Sequence, residues 1–302
     1  MAISPIVTSL PTYVEQNKSE LIAKSILGAQ TAKMVTLFSG IKGATTLNLL
    51  NTDVVFADGS DCGFDPTSTN EISQRTLTPK LVKVNAEWCD KKLLNTYAQH
   101  LVKIAANQKT LPFEEDFVNG LVDGINYGIE KMIWQGDSAN GNECDGLIKI
   151  LSAESTVIKV NKAKGTSAYD AIKEVYANVP ETALKNDLVI FVDGATYREY
   201  ISDLVAANLY HYDPKNGEDG MMIPGTSVKV VKVDGLDGSA TNHYIVAARL
   251  SNVFYGTDGV NDAEAFDLWF SQDNRTFRFD AEMLVGVQVA YPDQIVLGTI
   301  AK

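Results

Sequence analysis

Residues 111–151 read LPFEEDFVNGLVDGINYGIEKMIWQGDSANGNECDGLIKIL, and they contain the longest predicted helix of the chain. This helix is predicted over Pro112 to Gln135, because a proline suits the first turn, acidic residues follow it, and apolar residues then recur three or four apart. A polar loop, Ser138 to Asp145, is predicted to follow and to lead into Gly146-Leu147-Ile148. The apolar stripe of the helix consists of Phe117, Leu121, Ile125, Ile129, Met132 and Ile133.

Three glycines, Gly120, Gly124 and Gly128, recur every four residues on one side of this helix. Each glycine in a helix interior costs about 1 kcal/mol relative to alanine. A row of three is easier to understand if another backbone crosses close to that face. We therefore interpret the helix as a spine against which other elements lie.

The region before the spine is predicted to contain an arm, a helix and a ribbon. Met1 to Tyr13 is expected to be an extended arm, and Val14 to Phe38 a helix, which either reaches outward or packs on its own domain. Strand-like runs on both sides of a polar segment, 57–70, predict a long two-stranded ribbon; an ordinary hairpin folded on the core is the alternative. A short helix, 90–108, leads to the spine.

After Gly146 the pattern alternates between strands and helices, which is typical of a small α/β unit. Leu188 to Val192 is apolar throughout and is predicted to be a strand buried on both faces. A Ser or Thr cap is expected to open the helix from Ser167 to Asn178. The other predicted elements are strands at 156–160, 228–233, 244–248, 266–270, 276–280 and 282–291, and a helix at 197–209.

The composition of the 302-residue chain excludes some classes of protein. Its net charge of -12 argues against a general nucleic-acid binder, which needs a basic surface, although it is compatible with enclosing nucleic acid. Cys62, Cys89 and Cys144 are too few and too scattered to indicate a disulfide framework or a metal site. No membrane span or signal peptide is indicated, so we expect synthesis in the cytoplasm.

No motif predicts catalysis or a cofactor. Gly40 to Thr46 lacks the spacing of a phosphate-binding loop, and its two glycines are explained as a helix stop. The three histidines, which include His243, have no metal-ligand spacing. Asp58, Asp61 and Asp65 form an acidic cluster, but the calcium-loop pattern fails around them. We therefore predict no catalytic residue, no cofactor and no metal site, and we expect that the protein is not an enzyme.

The order of these parts resembles the major capsid protein of tailed phages, the Hong Kong 97-type capsid fold. The most specific local feature is the end of the spine, Ile133 to Asp137, followed by a small-residue loop and Gly146-Leu147-Ile148, which resembles a junction of that family. The run from Val189 to Tyr197 also resembles a strand and helix of the family's axial domain.

This resemblance implies an α+β fold with an N-terminal arm and helix (1–44), an extended β-hairpin loop, or E-loop (45–94), and a long spine helix. The spine belongs to a peripheral (P) domain, 95–146 and 266–302, and the axial (A) domain is 147–265. In that family the E-loop lies over a neighbouring subunit.

The implied function is a shell protein that assembles as pentamers and hexamers into the icosahedral head around the double-stranded DNA of a tailed bacteriophage. The expected partners are other copies of the chain, a portal, possible decoration proteins, and a separate scaffolding protein or none, since the chain begins almost at the arm. No membrane is involved, and the location is the virion after assembly in the host bacterial cytoplasm. One alternative is an encapsulin-type cellular shell. Another is an acidic α/β hydrolase or ligand-binding protein with a pocket at Asp193 to Thr196.

The residues predicted to matter lie at joints and contacts. Three glycines are predicted to be hinges at which the chain bends: Gly136, Gly141 and Gly146. Lys80 and Lys83 are placed on the ribbon, but no motif marks a partner for a cross-link, so none is predicted. The predicted inter-subunit contacts are Asp53, Arg75, Lys80, Lys83, Tyr210 and Asp213.

Overall fold

The computed structural model describes residues 5–53, 56, 69–105, 113–209, 221–258 and 266–302, and in these ranges the chain forms eight α-helices and thirteen strands. The helices are α1 (Pro5–Gln16), α2 (Lys18–Leu27), α3 (Gln30–Met34), α4 (Asp90–Ala105), α5 (Phe113–Gln135), α6 (Leu147–Ala153), α7 (Ala168–Ala177) and α8 (Gly194–Ala206). The strands are β1 (Thr36–Ser39), β2 (Thr45–Asp53), β3 (Thr69–Leu77), β4 (Lys80–Cys89), β5 (Ile158–Lys162), β6 (Leu188–Val192), β7 (Met221–Met222), β8 (Lys229–Lys232), β9 (Asn242–Arg249), β10 (Val253–Thr257), β11 (Phe266–Ser271), β12 (Thr276–Val289) and β13 (Val296–Ala301).

A five-stranded sheet has the order β1-β10-β12-β11, with β4 also paired to β12. We predicted two strands within 276–291, but the structure has one strand, β12. The reason is that alternation continues without a break: Phe277, Phe279 and Ala281 all face the core. The first half of β12 lies between β11 and β4, and its last residues pair with β10.

A six-stranded sheet has the order β5-β13-β9-β6-β8-β7. Every residue of β6 is buried, as predicted, because α7 and α8 cover one face of the sheet and the end of α5 lies on the other. The predicted cap of α7 is confirmed, since the Ser167 side chain accepts a hydrogen bond from the Asp170 N–H. The helix predicted from Tyr197 begins earlier, at Gly194, because Asp193 caps it.

The last strand, β13, was not predicted. It pairs in parallel with β5 and antiparallel with β9, so it belongs to the six-stranded sheet. The predicted domain boundaries placed all of 266–302 in the peripheral domain. The pairing of β13 with β5 and β9 instead places Val296–Ala301 in the sheet of the α/β unit. Apolar residues cover both faces of β13 because helices lie on both sides of this sheet. The other domain boundaries stay predictions.

The N-terminal prediction of an extended arm and one helix is wrong. The chain forms α1, α2 and α3 and then β1, and α1 begins at Pro5, where the missing N–H costs nothing. Gly28 follows the end of α2, and glycine there allows a close approach to α5, since a Cβ would clash with the Asn126 side chain. Leu10 and Leu21 are buried in the main core, so the alternative that this segment packs on its own domain is confirmed for the described residues.

The spine helix is present as α5, and Pro112 lies outside the described residues. The observed buried stripe differs from the predicted one, since Val118 and Val122 are buried whereas Phe117, Leu121 and Met132 are only half-buried. The reason is that α1 and α2 pack on one flank of the helix and leave the other flank partly open.

The ribbon consists of β2 and β3, which pair antiparallel as a two-stranded sheet of their own. This confirms a two-stranded excursion, although most of the predicted polar tip, 57–70, lies outside the described residues. We also assigned β4 to the ribbon, and this is wrong because β4 pairs with β12 along its whole length. Lys80 and Lys83 therefore lie in the five-stranded sheet.

Candidate assembly surfaces

The predicted contact residues do not converge on one site. Asp53 ends β2, opposite Thr69 of β3. Arg75 on β3 forms an ion pair with Glu154, which follows α6 in the same chain. Tyr210 and Asp213 lie outside the described residues. The inter-subunit roles of all these residues stay predictions.

The two lysines first placed on the ribbon lie on β4. Lys80 is exposed. The ammonium group of Lys83 is 3.5 Å from an Asp280 carboxylate oxygen and 3.4 Å from one of Glu282, both on β12. These contacts raise the pKa of Lys83, with the Glu282 hydrogen bond as the largest cause. Because the pairs are exposed, they contribute little to stability.

Two glycines bring separate backbone segments together at the end of the spine. The N–H of Gly146 donates to the carbonyl of Gly136 at 2.8 Å. A Cβ on Gly146 would lie 2.5 Å from the Gly136 nitrogen, and one on Gly136 would clash with the carbonyls of Cys144 and Met132. Close approach is therefore one reason for glycine at both positions, and bending there stays a prediction.

The loop between these glycines is held by its own charges. Lys149 pairs with Asp137 at 2.7 Å and with Asp145, and it donates to the Ser138 hydroxyl at 3.1 Å. The hydrogen bond from Lys149 is the main cause that lowers the pKa of Asp137. Gly141 has a positive φ of 82° with open space around it, so its glycine suits the turn itself.

A buried carboxylate joins the N-terminal helices to the spine. Glu130 accepts hydrogen bonds from the Thr31 N–H at 2.8 Å, from the Thr31 hydroxyl, and from the Trp134 indole at 3.1 Å. Burial raises the pKa of Glu130, and the hydrogen bonds from Thr31 and Trp134 oppose that shift. Sequence reasoning missed this cluster. The available signal was a charged residue four positions before a tryptophan, beside the apolar stripe.

The α/β unit packs against the C-terminal end of the spine helix α5, where Glu130 and Trp134 lie. The backbone of Gly235 lies so close to α5 that a Cβ would clash with the Glu130 carbonyl and the Trp134 ring. The Gln135 side chain donates to the carbonyls of Gly235 at 2.6 Å and Asp237 at 2.8 Å. Three parts of the chain therefore meet at one packed point: α3, the end of α5 and the turn at 234–236.

The opposite flank of the spine is open. A Cβ on Gly120, Gly124 or Gly128 would meet no atom within 4 Å, so in the described part of the chain our expectation of a crossing backbone is wrong. These glycines line an apolar groove of about 370 Å³ whose other wall includes Val82, Val84 and Met283. Among the described strands, β4 pairs only with β12, so its second edge is unpaired.

The residues proposed for a small-molecule site are used within the fold. Asp193 is 3% exposed; it accepts from the Thr196 N–H at 3.0 Å, and its second oxygen is 2.5 Å from His243 Nδ1. The N–H of Gly194 donates to Asp237 at 2.7 Å. Among the residues that the structure describes, these partners satisfy the start of α8, so Asp193 and the Gly194 and Thr196 N–H groups are used within the fold.

Neither a metal-binding cluster nor a membrane-spanning helix occurs in the residues that the structure describes. In these ranges no group of three or more His, Cys, Asp or Glu side chains is placed to hold a metal ion. No helix in the same ranges combines the length and the apolar character needed to cross a bilayer.

Comparison with known proteins relies on structure, because no family profile and no curated protein sequence matches the chain. A chain of Gordonia phage Cozz has a TM-score of 0.58 and 13% identity, over 90% of this chain and 86% of its own. A chain of the satellite phage P4 procapsid including size determination (Sid) protein has a TM-score of 0.60 and 8% identity, over 99% and 93%. A chain from the capsid of the native GTA particle has a TM-score of 0.58 and 12% identity, over 92% and 91%. At such identities the likeness is one of fold.

Proposed function

From the premise that this chain has the Hong Kong 97-type capsid fold, we propose that it is the major capsid protein of a tailed bacteriophage. In this role it assembles as pentamers and hexamers into an icosahedral head that encloses double-stranded DNA. The role is structural and needs no catalytic group. A separate scaffolding protein, a portal and decoration proteins are its proposed partners, and the virion, assembled in the host cytoplasm, is its proposed location.

The observation that carries the proposal is the ribbon, which belongs to neither of the two large sheets. An isolated two-stranded sheet is only marginally stable in water. Ile72 on β3 is 74% exposed and Phe56, between the strands, is 95% exposed. Apolar side chains that the described part of the subunit leaves exposed are stabilised when a neighbouring copy covers them.

The charge of the chain suits a container rather than a DNA-binding protein. A net charge of -12 repels the phosphate backbone, so packaged DNA does not adhere to such a wall. This favours enclosure without sequence-specific binding.

Assembly of the purified chain, with and without a co-expressed scaffold, tests the proposal. We expect closed particles of uniform diameter in negative-stain images and a fast boundary in sedimentation velocity. Monomers alone under both conditions would contradict the proposal. Double-stranded DNA inside particles from infected cells supports the phage head, whereas a protein cargo in a cellular shell supports the encapsulin type.

A variant with a shortened ribbon tests whether the ribbon is needed for assembly. Replacement of residues 51–71 by Asn-Gly joins Leu50 to Ile72, which are directly opposed, through a two-residue turn. Buried Leu47, Leu49 and Leu77 at the base remain. The variant is expected to fold with a normal circular dichroism spectrum and to form no closed particles. Normal shells from this variant would show that the distal ribbon is not needed.

A further inference from the structure

The base of the ribbon sits in a notch made by two glycines. Gly256 of β10 and Gly286 of β12 are directly opposed in the five-stranded sheet. A Cβ on Gly256 would lie 2.7 Å from a methyl carbon of Leu77, and one on Gly286 would lie 3.0 Å from the same methyl. Leu77 is 0% exposed. The side chain therefore fits only because both positions of the sheet lack a side chain.

Two polar contacts hold the same base from two directions. The Gln288 side chain of β12 donates to the Thr76 carbonyl at 2.8 Å. The guanidinium of Arg75 pairs with Glu154, and the two side chains are only 21% and 31% exposed. The first contact ties the ribbon to the five-stranded sheet. The second ties it to the end of α6, the helix that follows the spine junction.

We propose that this socket, Leu77 in the Gly256–Gly286 notch together with the Arg75–Glu154 pair, sets the direction in which the ribbon leaves the subunit. Leu77 and Arg75 are then positioning residues for the contact between the ribbon and a second copy of the chain. This inference rests on the proposed shell function, and it names the residues that fix the orientation of the ribbon.

The geometry explains why a small socket matters. Nine residues of β2 span about 30 Å at the usual rise of a strand. A rotation of about 10° at the base therefore moves the far end by about 5 Å, which is the spacing between neighbouring strands. Such a displacement is enough to lose a specific contact with another subunit.

The socket also connects the ribbon to the α/β unit. Because Glu154 ends α6, a shift of this helix pulls on Arg75 and changes the angle of the ribbon. The notch lies in the five-stranded sheet and resists that change. Because α6 packs against α5 and β12, the two halves of the socket make the ribbon angle depend on the position of α6 relative to the five-stranded sheet.

Hydrogen exchange on the unassembled chain tests the socket directly. In Gly256→Ala the new methyl displaces the flexible ends of Leu77 and Ile41, each 2.7 Å from its position, and in Glu154→Gln the ion pair is weakened. We expect amides of β2 and β3 to exchange about tenfold faster in each variant, with amides of β6 and β9 unchanged, because only the base of the ribbon is loosened. Particles from these variants are expected to vary in diameter.

The controls separate positioning from general stability. Gly43 lies just before β2, where a Cβ would meet nothing within 4 Å. Gly43→Ala should therefore leave the amide exchange rates of β2 and β3 unchanged. The exchanged pair Arg75→Glu with Glu154→Arg should restore slow exchange and uniform particles. If Gly256→Ala fails to fold, the charge variants decide the question.

Two results would overturn the inference. One is that, in both variants, the amide exchange rates of β2 and β3 and the particle diameter equal those of the wild type. The other is equal acceleration of exchange in all strands, which would show a merely structural role. Absence of particles from the wild-type chain would count against the shell function, while the exchange data would still decide whether the socket holds the ribbon.

Discussion

The two flanks of the spine helix α5 differ in how they are covered. At one flank Glu130 and Trp134 are buried against Thr31, and Gly235 lies in direct backbone contact. At the other flank the row of three glycines opens onto a groove. Within the described part of the chain, a close contact explains the glycine at the packed end of the helix, and no such contact explains the glycines at the open flank.

The comparison teaches that glycine in a helix has to be explained position by position. Gly146 and Gly136 are required because two backbones touch there. The glycines at the open flank lower the stability of the helix by about 1 kcal/mol each, and no contact among residues 5–53, 69–105, 113–209, 221–258 and 266–302 requires them. The fold of the single subunit therefore accounts for the first pair only.

The largest expected effect comes from filling the packed junction. Gly146→Ala places a methyl 2.5 Å from the Gly136 nitrogen and 2.7 Å from the Trp134 carbonyl, both of them backbone atoms. We expect the free energy of unfolding to fall by about 3 kcal/mol or more, the upper end of overpacking costs. Urea denaturation measures it.

Gly141→Ala is the control for this change, because it lies in the same loop with open space and a positive φ. It should lower the free energy of unfolding by only about 1–2 kcal/mol, the cost of a left-handed backbone. Equal losses from both variants would show that the junction is not closely packed.

A smaller effect is expected at the buried carboxylate, and it depends on pH. Because burial raises the pKa of Glu130 above its ordinary value of 4.5, the folded state binds its proton more tightly than the unfolded state. The contribution of Glu130 to stability is therefore full below pH 4.5 and is lost as pH rises through the folded-state pKa. Glu130→Gln stays neutral and lacks this loss.

Urea denaturation of the wild type and of Glu130→Gln at several pH values between about 4.5 and 8 checks this. The stability of the variant relative to the wild type should rise with pH across the window. A constant difference would mean that the hydrogen bonds from Thr31 and Trp134 balance the effect of burial.

The smallest effect is a gain at the open flank. Gly124→Ala should raise the free energy of unfolding by about 0.5–1 kcal/mol, because alanine favours the helix and its methyl meets no atom within 4 Å. Thermal denaturation of the unassembled chain measures it. A loss of stability would show that the groove is closed in solution and would remove the contrast between the two flanks.

Local signals in the sequence predicted the elements that depend on nearby residues. The α+β Hong Kong 97-type fold is confirmed, with α5, the two-stranded ribbon, the buried strand β6 and the Ser167 cap. Periodicity and capping report which face of a segment is covered and where a helix begins. They carry no information about which distant segment provides the cover.

The candidate site was less predictable for the same reason. Arg75 was recognised as a ribbon residue, but its pairing with Glu154 crosses 79 positions of sequence. The Glu130 cluster joins residues 99 positions apart, and no local pattern marks it. Leu77 looked like an ordinary strand residue, and only the two glycines opposite it reveal the notch.

The sequence by itself determined the spine helix α5, the buried strand β6, the acidic charge and the order of the spine, the ribbon and the α/β unit. Only the tertiary structure decided that β4 pairs with β12 and not with the ribbon, that β13 joins the six-stranded sheet, and that no described segment covers the row of glycines. The physical reason is that the propensity of a segment acts over a few residues, whereas strand partners and close backbone contacts are selected by the packing of the whole chain.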